Sequence, residues 1–131
     1  MSKPKPRKNL RIDIKILESI KARQAELCDE LKYFNIKEAG DLALSKTRPS
    51  IRRGLIQMVG DIFELTSKLT ERTKSKLGLN IDIIRHFRNT ASHNYGILSN
   101  EVAFMCIQHC ISPTIRQNVA DMYTQLQTNN E

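Results

Sequence analysis

The chain has 131 residues, enough for one domain that buries about two thirds of its unfolded surface, and too few for a second independent core. Twenty-one Lys and Arg against fourteen Asp and Glu give a formal charge of +7, which favours polyanionic partners, nucleic acid first among them. Tryptophan is absent, Gly and Pro are few, and Leu and Ile recur throughout, a composition that predicts an all-α fold.

The opening MSKPKPRKNLR interleaves Lys3, Lys5, Arg7, Lys8 and Arg11 with two prolines that resist regular structure. Residues 1–9 therefore read as a flexible basic tail, either solvated or used as a nucleic-acid arm. No apolar run approaches the ~20 residues needed to cross a bilayer, and no signal-peptide core follows the basic start, so a cytoplasmic protein without membrane contact is expected. Cys28, Cys106 and Cys110 are odd in number and show no disulfide framework.

A first helix is predicted from Leu10 to about Lys32, with Ile12, Ile16, Ile20, Leu27 and Leu31 on its buried face. The stretch YFNIKEAGDLALSKT, broken by Gly40, predicts a short extra helix. Pro49 opens a second long helix running to Lys76, whose apolar face takes Leu55, Met58, Val59, Ile62, Phe63, Leu65 and Leu69; Gly60 within it suggests close helix packing. Gly78 suits a C-terminal cap, and Asn80 an N-cap for a third helix with Ile81, Ile84, Phe87 and Ala91 inward. Ser99 or Asn100 then caps a final helix through Val102, Met105, Cys106, Ile115, Val119, Met122 and Leu126, kinked or divided by Pro113. The expectation is an antiparallel bundle of four major helices plus a short one over residues 10–127, with a frayed end at 128–131.

The third helix runs out in RNTASHNY, residues 88–95. Asn89 and His93 are four apart on a helix, as are Arg88 and Ser92, so all four cover adjacent stripes of one helix end. One reading is an ordinary polar terminus in which Asn89 and His93 satisfy the last carbonyls and Arg88 complements the helix dipole. The other is a site. Arginine offers a planar array of donors for phosphate oxygens, and histidine titrates near neutrality, a pairing suited to phosphodiester chemistry.

The segment resembles the Arg-x4-His-x-Tyr motif of the HEPN superfamily, in particular its HepT-like toxin branch. Upstream, RRGLIQMVGDIFELTSKL is similar to the family helix that carries an Ile-Gly-Glu element, here Val59, Gly60 and Asp61. Downstream, YGILSNEVAF is similar to its Tyr-x-x-Ile turn and final helix. The resemblance covers about the last two thirds of the chain. It implies a HEPN-like all-α homodimer and a metal-independent endoribonuclease toxin in a type VII-like system, paired with a minimal nucleotidyltransferase antitoxin.

By the same resemblance, Arg88, Asn89 and His93 are the catalytic positions, Asp61 and Ser92 support them, and Tyr95 is the tyrosine that the antitoxin modifies by AMPylation. Asp61 stands where the family has glutamate, one methylene shorter. RNA is the expected substrate and no cofactor is implied. The alternative is a non-catalytic HEPN module that binds RNA or nucleotides, or acts as an adaptor for a nucleotidyltransferase. Cys106, His109 and Cys110 lie within one helical turn and offer three zinc ligands without an evident fourth, a spacing that also suits core residues.

Overall fold

In a computed structural model that describes residues 7–91 and 98–129, the chain is helical, with no strand among those residues. The elements are α1 (Arg7–Tyr33), a 3-10 turn (Ala39–Leu42), α2 (Pro49–Ser67), α3 (Glu71–Lys76), α4 (Ile81–Ala91), α5 (Asn100–Ile111) and α6 (Pro113–Asn129). α1 is the spine, packed along α2 and α6. α5 bridges α2 and the 3-10 turn, and α4 touches α5. No described helix is long and apolar enough to cross a membrane.

α1 starts at Arg7, so residues 7–9, expected in the tail, are helical; α6 likewise extends to Asn129. The inner stripe of α1 is Asp13, Leu17, Ile20, Gln24, Leu27 and Leu31, alternating steps of four and three. Two polar residues lie in that stripe, and Ile12, expected inside, is 44% exposed. Both polar side chains bond to other elements. Gln24 donates from Nε2 to the Cys110 carbonyl on α5 at 2.8 Å. Asp13, fully buried, accepts the Thr70 amide at 3.0 Å and the Thr70 and Thr73 hydroxyls at 2.6 Å each.

That carboxylate explains why the helix expected over 49–76 is two helices. Thr70 is held in an extended conformation as the N-cap of α3, and its own side chain makes no capping bond. Asp13, 57 positions earlier in the chain, instead accepts the Thr70 amide and the Thr70 and Thr73 hydroxyls and so holds the cap residue itself in place. Local pattern cannot register such a partner. On α2 the core takes Leu55, Ile56, Val59, Ile62, Phe63 and Thr66, while Met58 and Leu65 are half-buried. Gly60 faces the Phe87 ring, but a Cβ there would lie 3.6 Å from it, an ordinary contact, so close packing does not require glycine.

The caps around α4 follow the sequence closely. Gly78 has φ +76°, the left-handed region that ends a helix without a Cβ penalty, and Asn118 Nδ2 bonds the preceding Leu77 carbonyl at 3.0 Å. Asn80 Oδ1 accepts the amides of Asp82 at 2.9 Å and Ile83 at 3.2 Å. Ser99 caps α5 through the Val102 amide. Pro113 divides the last expected helix and occupies the first position of α6, which Ser112 caps through the Ile115 amide. Ile115, Val119, Met122 and Leu126 of α6 are all buried, whereas Met105 of α5 is 41% exposed.

Candidate functional site

α4 carries the start of the Arg-to-Tyr segment, and its faces divide the work. Phe87 is its buried anchor, meeting Phe63 of α2 edge-on at 5.3 Å between ring centres. Ile81, expected inside, is 68% exposed, and Ile84 and Ala91 are half-buried. The inward face predicted for this helix is thus one buried aromatic, with Ile83, Ile84 and Ala91 packed half-buried against the core. The N-terminal end is pinned from α5, where His109 Nε2 accepts the Asn80 amide at 2.9 Å. Burial pushes the His109 pKa down, which keeps the ring neutral and able to accept.

Ile81, Ile84 and Arg88 form one stripe of α4 along a groove of about 430 Å³. Across it lie Phe63, Thr66 and Ser67 of α2 and Glu71, Lys74 and Ser75 of α3. Lys74 pairs with Glu71 at 3.2 Å. Arg88 is exposed, and no hydrogen bond or ion pair joins it to another described residue. Its guanidinium stands at the edge of an apolar groove with its donors available to an anion. On the opposite side of α4, His86 and Thr90 line a shallower hollow of about 330 Å³ with Leu98, Ser99 and Val102.

Asn89 is exposed and already engaged in an interaction. Asp61, half-buried on α2, accepts from Gln57 Nε2 at 3.2 Å, and no bond joins it to Arg88. The structure therefore puts Arg88 and Asn89 together at the end of α4, with Asp61 bonded to Gln57 and not to the guanidinium. Ser92, His93 and Tyr95 lie outside the described residues.

Sequence reasoning missed Arg52. It crosses from α2 to the stretch that follows the motif, donating from Nε to Asn100 Oδ1 at 3.0 Å and from a terminal nitrogen to the Leu98 carbonyl. Only the clustering of arginines at the start of α2 signals it. The three residues weighed as zinc ligands have other employment. Cys106 and Cys110 are fully buried, where burial pushes the Cys106 thiol up to about 11 and Cys110 well above its usual range. His109 holds the Asn80 amide, and no group of three metal-ligating side chains converges among the described residues.

Searches with protein-family models, against curated proteins and against solved structures find no match to this chain.

Proposed function

We propose that this chain is a HEPN-type homodimeric, metal-independent endoribonuclease, acting as the toxin of a type VII-like pair with a minimal nucleotidyltransferase antitoxin. The observation that carries the reading is Arg88, an exposed guanidinium free of any described partner, five residues before His93 in the Arg-x4-His-x-Tyr segment. The chain's excess of positive charge supports an RNA partner.

In the proposed reaction His93 takes the proton from the ribose 2′-hydroxyl, whose oxygen attacks the adjacent phosphorus. Arg88 stabilises the charge that develops on the phosphoryl oxygens. The 5′-oxygen departs with a proton from the second copy's histidine, leaving a 2′,3′-cyclic phosphate and a 5′-hydroxyl. Asn89 and Ser92 position phosphate or imidazole. A single copy supplies half of such a cleft, so the reading requires a two-fold dimer. AMP attached to Tyr95 adds negative charge and bulk two residues from His93, which repels RNA and blocks the cleft.

Purified protein should cleave RNA in EDTA, His93→Ala should abolish cleavage, and Arg88→Lys should impair it, because an ammonium cannot hold two phosphate oxygens in one plane. RNA binding without cleavage in the wild type would instead assign the chain to the non-catalytic RNA-binding or adaptor role.

A further inference from the structure

The groove beside Arg88 is built from matching sides of three helices. Its lining residues fall at offsets of zero, three and four on α2 and on α3, and of zero, three and seven on α4, so each helix turns a single side toward it. The apolar lining is Phe63, Leu79, Ile84 and Ile81, the last of them 68% exposed. Arg88 closes one end of the α4 stripe, exposed and without a partner among the described residues.

The neutral polar lining is one-sided. Thr66 Oγ1 donates to the Ile62 carbonyl at 2.9 Å, Ser67 Oγ to the Glu64 carbonyl at 2.6 Å, and Ser75 Oγ to the Arg72 carbonyl at 2.8 Å. A hydroxyl has one proton, so each of the three is left with lone pairs alone. Thr66 is buried, and Lys74 is paired with Glu71 at 3.2 Å. Ser67, Ser75 and the Glu71 carboxylate therefore remain as acceptors. A ligand for this groove brings hydrogen-bond donors, an apolar face and, at the Arg88 end, negative charge.

A nucleotide carries all three. The cavity of about 430 Å³ lies near the lower end of the range for ligand pockets, about 300–1,000 Å³, and suits a single nucleoside. A second copy of the chain fits less well. A flat protein surface would bridge the groove without entering it, and among the described residues Ile81 is the one exposed large apolar side chain that lines it.

We propose that this groove receives the base of one of the two nucleotides flanking the scissile phosphate, and that Ser67, Ser75 and Glu71 select a base with an exocyclic amino group. The proposal rests on the ribonuclease reading, which puts the phosphate on Arg88, and adds which sequences are cut. Adenine, cytosine and guanine each present an amino group to such acceptors. Uracil has one base-edge donor, and it lies between two carbonyls that would face the same lone pairs. A base in single-stranded RNA is free to leave its stack and lie against apolar side chains.

The test is sequencing of the fragments that full-length protein releases in EDTA from a randomised single-stranded RNA, which counts the bases on each side of every cut. Uracil should be depleted about tenfold at one of the two flanking positions, the factor for about one net hydrogen bond. Ser67→Ala, Ser75→Ala and Glu71→Ala combined should bring the four bases within about twofold of one another. Ser75→Trp, at an exposed position, fills the groove and should raise KM for a defined RNA about tenfold while lowering kcat less. Gln125→Trp, exposed on α6, should change KM less than about twofold. Equal use of the four bases at both positions, a preference for uracil, or a preference that survives the triple variant would overturn the proposal. A Ser75→Trp protein that turns monomeric by light scattering would overturn it too, giving the groove to the second copy. Wild type that cleaves no RNA would sink the ribonuclease reading and this site with it, whereas indiscriminate cleavage would sink only the base site.

Discussion

α6 and α4 are both amphipathic helices near the end of the chain, yet they are held in different ways. α6 buries Ile115, Val119, Met122 and Leu126 against the spine, whereas α4 buries Phe87 and leaves Ile81 and Arg88 outside. At ~25 cal/mol per Å² of apolar surface, four buried side chains anchor a helix far more strongly than one. α4 makes up part of the difference with directed polar bonds at its entrance. Asp13 fixes the start of α3, Asn118 holds the end of α3, and His109 and the Asn80 side chain hold the first amides of α4. A helix attached by its entrance, one buried aromatic and a half-buried apolar edge keeps its outer face, Arg88 and Asn89 included, exposed.

The largest effect should come from removing the buried carboxylate. Asp13→Ala leaves one amide and two hydroxyls without their acceptor and is expected to cost about 3–5 kcal/mol by denaturant unfolding. A loss below 1 kcal/mol would mean that water holds Thr70 and Thr73 as effectively as Asp13 does. Phe87→Ala should follow at about 3 kcal/mol, and hydrogen exchange should quicken in α4 more than in α6. Uniform quickening across both helices would erase the distinction between them.

Acid should act on the α4 entrance in particular. Because burial lowers the His109 pKa below the ordinary 6.5, the unfolded chain binds its proton first. The His109 contribution to stability is therefore complete above pH 6.5, declines as pH falls below it, and levels off below the folded-state pKa. His109→Gln, which keeps an acceptor but cannot titrate, should flatten that part of the stability profile. An unchanged profile would remove His109 from the account. The smallest effect should be a gain. Gly60→Ala adds a methyl at ordinary contact with Phe87 and should stabilise the protein by up to about 1 kcal/mol; a loss would show that the α2–α4 contact is tighter than 3.6 Å implies.

The contrast between the two helices also marks what the sequence made legible. The α6 stripe, the Gly78 and Asn80 caps, the Ser99 cap and the division at Pro113 are set by residues within a few positions of one another, and all were readable from spacing and residue type. Asp13 and Gln24 were not. Each is polar in a core stripe and bonds to a group more than fifty residues away, so hydrophobic periodicity shifted the expected face toward Ile12. The same long-range bond broke a helix that local propensity would continue through Lys68–Thr70. For the site, an exposed Arg88 and Asn89 at a helix end were anticipated, and Arg52 was not, because its partners at Leu98 and Asn100 come together with it only in the fold.

The central claim is that Arg88 and His93 cleave RNA by way of its own 2′-hydroxyl. Mass spectrometry of the fragments released from a defined RNA in EDTA tests it most directly. The account predicts 2′,3′-cyclic phosphate and 5′-hydroxyl ends, absent when His93→Ala replaces the wild type. Fragments ending in 3′-hydroxyl and 5′-phosphate would contradict it, because such ends require attack by an external nucleophile on the opposite bond.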